Sequence, residues 1–282
     1  MIFTELSKLY LDSVEFDQLE LNTQAMYKSW ALRVPRMATM NAKEMFHWLK
    51  ALPVRAGTKN LGLSVLRGIY SWGELQGFVD ANPTTPIKRF RSTVTMPKGY
   101  TKAEINAVCA QAASPTEELC ACFLKIMFWT GARPREILDL KWGDIDYDNS
   151  LIAIMGAKKR EKGVVSRYCN LLPIITDCLQ ELYEGERRHG DDTYVFKLPG
   201  FSMGNRRLHI NYARKRLQLM GKRVGINKTL RQARTGLATS MLANGYSITD
   251  VQQTLGHKTI LATQRYIRPS LKEKAEVFKG LK

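Results

Sequence analysis

Residues 81–97, ANPTTPIKRFRSTVTMP, cannot continue a helix, because three prolines fall among β-branched and polar residues. Everything before this stretch reads as helix. Apolar positions three and four apart mark 3–13, 23–34, 41–52 and 58–79, as with Leu6, Leu9 and Tyr10, then Leu61, Val65, Ile69 and Trp72. The break divides the 282 residues into a helical domain, 1–83, a linker, 84–98, and a second domain, 99–282. The apolar content is that of a globular protein with a real core.

The second domain opens at Thr101-Lys-Ala-Glu104, a capping box with a hydroxyl at the N-cap and a carboxylate three residues on. Helices are expected to about Ala112, over 116–129 and over 134–140. From Ile145 to Leu171 the period becomes that of strands, LIAIMG and VVSRYCNL, joined by the charged turn AKKREKG. Helical patterns return at 173–185, 205–220, 228–244, 248–255 and 259–266. A final amphipathic segment covers 270–281 within a tail, 269–282. The expected architecture is mainly α with a small antiparallel sheet.

Lysine and arginine exceed aspartate and glutamate by 43 to 26, a net charge of +17 that points to a polyanionic partner. The excess is uneven. Residues 1–95 hold 12 basic and 8 acidic side chains, and residues 193–249 hold no acidic side chain but include Arg206, Arg207, Arg214, Lys215, Arg216, Lys222, Arg223, Lys228, Arg231 and Arg234. Such a stretch repels itself unless phosphates neutralise it, whereas a merely solvated face interleaves both signs. Lys88, Arg89 and Arg91 in the linker suit a strap along a nucleic-acid backbone. Five cysteines without framework spacing read as reduced, mostly buried thiols, and His47, His189, His209 and His257 show no ligand spacing with them, so no metal or cofactor is expected. With no apolar run of about eighteen residues and no leader pattern, a cytoplasmic protein is expected, with no membrane partner.

Phosphodiester chemistry without a metal needs a nucleophile, cations on the non-bridging oxygens, a proton donor for the leaving oxygen and a base or donor near the nucleophile. Three segments of the second domain offer them. The first is Thr130-Gly131-Ala132-Arg133-Pro134-Arg135-Glu136-Ile137-Leu138, where the glycine ends one helix and Arg133 begins the next; a purely structural Arg133–Glu136 pair is the alternative. The second is Arg231-Gln232-Ala233-Arg234-Thr235-Gly236-Leu237-Ala238-Thr239. The third is Leu255-Gly256-His257-Lys258, followed nine residues after the histidine by Tyr266 in Thr263-Gln264-Arg265-Tyr266.

In order and spacing these segments resemble the T-G-x-R-x-x-E-L, H-x-x-R-x-x-x-A-T and L-G-H … T-x-x-Y segments of the tyrosine recombinase (phage integrase) family, over nearly the whole second domain. The resemblance implies a two-domain clamp, with a helical core-binding domain and an α+β catalytic domain. It implies that Tyr266 attacks a DNA phosphate and that Arg133, Arg234 and His257 bind it. Arg231 stands where the family has histidine. An arginine stays protonated and cannot take a proton, so it is either an altered catalytic position or a backbone contact. A register with Lys228 at the histidine position and Arg231 as the second arginine misplaces the Ala-Thr pair. Lys158, Lys159 and Lys162 compete as general acid; counting along the first strand favours Lys158, with Lys159 next and otherwise a DNA contact.

The family likeness further implies double-stranded DNA as substrate, a homotetramer on two synapsed sites, a Holliday junction, accessory DNA-bending proteins and a phage or mobile-element origin. In the tail, Leu271, Ala275, Phe278 and Leu281 form a stripe that docks on a neighbour or on its own domain. No arm-binding domain precedes the helical part, which implies a simple-type recombinase or a fragment. A type IB topoisomerase-like enzyme, a catalytically silent DNA-binding protein and an RNA-binding module are the alternatives; the last lacks an aromatic-rich sheet motif.

Overall fold

A computed structural model describes residues 1–35, 40–91, 98–156, 165–184, 190–198, 207–264 and 266–267. Two compact units, Met1–Thr95 and Met96–Lys282, divide the chain.

The first unit is built on one long helix, α5 (Ala56–Leu75), whose Leu63, Val65, Leu66, Ile69 and Tyr70 are buried. Such a wide apolar face needs several partners. α1 (Phe3–Leu11) and α3 (Leu21–Ala31) both approach it closely, since a Cβ at Gly73 would lie 2.5 Å from the Leu6 side chain and one at Gly62 would lie 2.4 Å from the Trp30 ring. A short α2 (Val14–Asp17), capped by Ser13, was not legible in the periodicity. α4 (Ala42–Ala51) starts at a reciprocal Asn41–Glu44 capping box. The chain from Asn82 to Phe90, inside the segment read as a linker, lies along α5: the Asn60 amide holds both backbone groups of Phe90, and Ile87 is buried in the unit's core.

In the second unit, α6 (Lys102–Cys109) opens at the Thr101–Glu104 capping box. α7 (Pro115–Thr130) is apolar on every side, which requires burial all round. Against it pack α6, α9 (Pro173–Glu184), α10 (Ile210–Arg223) and α11 (Leu230–Ala243). α8 (Pro134–Leu138) follows α7 directly, and α12 (Ile248–Leu255) and α13 (Ile260–Gln264) close the described chain. The three-stranded antiparallel sheet runs β1 (Ile145–Asp146), β2 (Leu151–Ile154), β3 (Arg167–Asn170). The expected run LIAIMG contains β2, and a further short strand, β1, precedes it across a turn in which Asp146 accepts from the backbone and side chain of Asn149 and Ser150 takes φ 53°. Ile154 pairs with Arg167 at the base of the β2–β3 hairpin.

All five cysteines are free. Among the described residues no helix is long and apolar enough to cross a membrane, and no group of three His, Cys, Asp or Glu side chains could hold a metal ion.

Candidate active site

The site begins at the corner between α7 and α8. Gly131 ends α7 in the left-handed region, φ 61°, where a side chain would be strained and its Cβ would meet Leu255 at 2.8 Å and Leu237 at 2.9 Å. Thr130 stabilises the corner by donating to the Ile126 carbonyl and accepting from the Ala132 N–H. The turn makes Arg133 the N-cap of α8. Glu136 then accepts from the Arg133 backbone N–H at 2.8 Å and from its Nη1 at 2.7 Å. The structural pair foreseen as an alternative is therefore present, yet the Arg133 side chain is still 51% exposed. It is anchored at one end and open at the other.

Glu136 carries a second cation. Arg167, at the start of β3, donates from Nη2 to Glu136 Oε2 at 3.2 Å, and its side chain is only 7% exposed. Burial pushes the Glu136 carboxyl up, but Arg167 and the Arg133 hydrogen bonds outweigh it and hold the group below the usual carboxylate range.

Arg234, on the inward face of α11, is 6% exposed. Its Nη1 donates to the Gly131 carbonyl at 2.6 Å, while its Nη2 is buried with no hydrogen-bond partner among the described residues. Burial, then the like charges of Arg133 and Arg167, lower its pKa to about 10; Glu136 and Tyr266 act in the opposite sense. α11 can come this close because residue 236 is glycine: a Cβ there would sit 2.0 Å from the Tyr100 carbonyl.

The third segment arrives through α12, which ends at Gly256 with φ 63°. His257 follows, its Nδ1 2.7 Å from Oγ1 of the fully buried Thr263. That contact folds the loop so that the half-buried Tyr266 ring stacks on the His257 ring, 6.2 Å between centroids with 9° between planes. Tyr266 also packs on the small cluster of Ala238, Val251 and Leu255, the last of which touches Gly131.

Arg133, Arg234, His257 and Tyr266 thus share one region. Arg231 is exposed on α11, one turn before Arg234. Lys158, Lys159, Lys162 and Arg206 lie outside the described residues, as does the tail 269–282. Lys88, Arg89 and Arg91 are exposed on the first unit. Arg207 is paired with the buried Asp139, Arg214 donates to Asn211 at 3.3 Å, and Arg216 donates to the Tyr212 hydroxyl at 3.2 Å. Lys228 is engaged with Glu104 and the Gly99 carbonyl. Motif matching gave no role to Arg167 or Thr263 and weighed Glu136 only as a partner of Arg133. An arginine sharing the inward parity of a strand with Cys169 is a signal that could have found Arg167.

The model of the phage integrase family matches residues 100–273. Tyrosine recombinase XerA of Thermococcus onnurineus is 26% identical over 269 residues, covering 92% of this chain and 91% of the relative. Tyrosine recombinase XerC of Proteus mirabilis is 25% identical over 222 residues, 77% of this chain and 70% of the relative. Among solved structures, the Tn1549 transposon integrase (residues 82–397) in complex with circular intermediate DNA superposes with a TM-score of 0.78 at 13% identity, covering 99% of both chains. A lambda integrase (75–356) dimer bound to a COC′ core site gives 0.72 at 17% identity, covering 93% of this chain and 97% of that one.

Proposed function

The chain belongs to the phage integrase family and is a site-specific DNA recombinase of the tyrosine type; from that premise we propose that Tyr266 is the nucleophile and that Arg133, Arg234 and His257 bind the scissile phosphate. The Tyr266 oxygen attacks phosphorus, a 3′-phosphotyrosyl bond forms and the bond to the 5′-oxygen breaks. The phenol loses a proton and the leaving oxygen gains one. The latter proton is assigned to Lys158, with Lys159 next. Positioned donors act hardest on charge that develops during the reaction, which is the role of the two guanidiniums and the imidazole. Arg231 cannot take a proton and serves as a further donor to the phosphate or its neighbour.

The observation that carries this reading is Arg234. A guanidinium kept buried beside other cations, with one donor unfilled and a tyrosine within its electrostatic reach, is a site prepared for an anion.

The phosphotyrosyl link retains the energy of the broken bond, so a 5′-hydroxyl from a partner duplex can reseal it. We infer that four protomers act on two duplexes through a Holliday junction, with accessory DNA-bending proteins, in a phage or other mobile element. Lys88, Arg89 and Arg91 on the first unit and Lys159, Arg206, Arg214 and Arg216 on the second are assigned to backbone contacts, and Arg207 contributes the side that Asp139 does not occupy.

The test is a covalent trap. A duplex selected by the protein from a randomised pool, nicked beside the cleavage point so that the cleaved end diffuses away, is expected to leave a denaturant-resistant protein–DNA adduct with a 3′ linkage. Tyr266→Phe is expected to bind the same duplex and leave none. An adduct that survives this substitution removes Tyr266 as nucleophile, and bound wild-type protein that forms no adduct returns the chain to a silent DNA-binding role.

A further inference from the structure

Arginine is almost never buried without adequate partners, because a guanidinium presents five donors. Arg167 breaks that rule. Its side chain is 7% exposed, and among the described residues its one charged acceptor is Glu136, reached by Nη2. Nε and Nη1 are buried with no nitrogen or oxygen acceptor among the described residues. The neighbouring Cys169 sulfur is a weak acceptor at best, its thiol raised by burial and drawn back by the Arg167 charge.

Two contacts give this arrangement a direction. Through Glu136, Arg167 is joined to Arg133, because that carboxylate also accepts from the Arg133 N–H and Nη1. At its other edge Arg167 abuts the corner that presents His257: a Cβ at Gly256 would lie 2.9 Å from Nη1 and 3.2 Å from Cδ. The glycine thus meets two needs at once, the left-handed turn after α12 and room for the guanidinium. Arg167 also stands at the base of the β2–β3 hairpin, paired with Ile154.

Arg133 and Arg167 therefore share one carboxylate, and Arg234 lies within the electrostatic reach of all three groups. A closed structural ion pair would balance its charges; this cluster keeps an excess that an arriving phosphate would neutralise.

We propose that Arg167 is a positioning residue for strand cleavage, tying the hairpin, Glu136 with Arg133, and the Gly256–His257 corner into one frame around the phosphate. The role rests on Tyr266 being the nucleophile. Arg167 acts through its neighbours, as groups that orient binding side chains commonly do.

The experiment is single-turnover cleavage of the nicked, pool-selected duplex at saturating protein, with affinity measured separately. Arg167→Gln is expected to bind with unchanged affinity and to form adduct roughly 10–100-fold more slowly, the usual range for losing an orienting partner. Glu136→Gln is expected to slow cleavage too, and the double variant to fall no further than the slower single one, since both act through one frame. Should Arg167→Gln fail to fold, Arg167→Lys carries the test: it keeps the charge, cannot span both contacts, and is expected to bind normally and cleave slowly. Wild-type cleavage rate in the folded glutamine or lysine variant, multiplicative losses in the double variant, or a loss matched by weaker binding overturns the role. Wild-type protein on the same duplex reports the parent assignment by itself. No adduct there overturns both; an adduct there with an unchanged rate in the variants overturns Arg167 alone.

Discussion

The two units bury polar residues differently. In the helical unit the buried polar side chains are neutral, Ser7, Asn82 and Thr84, and they satisfy one another or the backbone: Asn82 donates to Ser71 and accepts from the Thr84 N–H and hydroxyl. In the second unit Glu117, Glu136, Asp139, Asp144 and Arg234 are buried. Glu117 and Asp139 meet a single arginine each, Arg223 and Arg207, and are balanced. Around Glu136 the cations outnumber the carboxylate. A fold does not need such an excess for stability, since replacing buried charge by apolar side chains is often neutral or favourable. The excess is therefore what the proposed phosphate site would account for and the fold alone would not.

Arg234 offers the largest test of that contrast. Arg234→Gln is expected to lower single-turnover cleavage by roughly 10²–10³-fold, the loss seen when one preorganised donor to a developing oxyanion is removed. Its melting temperature without DNA is expected to change little, because relief from Arg133 and Arg167 offsets the lost bond to the Gly131 carbonyl. A large fall in melting temperature with unimpaired cleavage would reverse the assignment, making Arg234 a structural residue.

Glycine at helix contacts sharpens the comparison on the stability side. Gly62 and Gly236 each sit where a Cβ would collide, but the obstacle differs: a Trp30 side chain at 2.4 Å in the first unit, the Tyr100 backbone carbonyl at 2.0 Å in the second. A ring can shift, whereas the segment at Tyr100 is pinned by its N–H to the Gln232 carbonyl. Overpacking costs typically 1–3 kcal/mol and sometimes more, so Gly236→Ala is expected at about 3 kcal/mol and Gly62→Ala at about 1 kcal/mol in chemical denaturation. Equal costs would show that the Tyr100 segment yields as easily as the indole.

How much of this could be read beforehand follows the same division. Long periodic helices were legible because burial on one face repeats every three or four residues; 58–79 became Ala56–Leu75 and 248–255 became Ile248–Leu255. The Thr101 and Glu104 pair announced its capping box because that motif is local. α2 is a four-residue helix, too short for a period, and the Asp146–Ser150 turn, polar as its sequence DYDNS is, lay within the stretch from Ile145 that was read as strand. The motifs singled out Arg133, Arg234, His257 and Tyr266 because their spacing is fixed along the chain. Arg167 and Thr263 work through contacts between elements, β3 to α8 and the α12 corner to α13, which no linear spacing encodes.

Acid separates the units by another route. Glu136 has its pKa held below the ordinary carboxylate value despite burial, chiefly by Arg167 and Arg133. A group whose folded pKa is depressed contributes stability above its unfolded value, and that contribution is lost as pH falls through the folded value. The helical unit buries no carboxylate among its described residues. As pH drops through about 4, hydrogen exchange in β2 and β3 is therefore expected to accelerate before that in α5, and Glu136→Gln is expected to flatten the response of the strands. Strands and α5 opening together, with no change in the glutamine variant, would show that the ion cluster contributes nothing to this part of the fold.

The smallest effect expected concerns a neutral contact inside the charged unit. Thr263 is fully buried and its hydroxyl meets His257 Nδ1 at 2.7 Å, fixing the imidazole against which Tyr266 stacks. Thr263→Val keeps the shape and removes the hydrogen bond, a change worth about 0.5–1.5 kcal/mol, so adduct formation is expected to slow roughly 2–10-fold with DNA affinity unchanged. Because the loss enters through the orientation of His257, it should vanish in a His257→Ala background, where there is no ring left to hold. A rate loss that persists there would mean that Thr263 supports the Tyr266 loop directly, and the neutral buried groups of this unit would then resemble Asn82 and Thr84 in the other: fasteners of the chain, with the chemistry left to the charges.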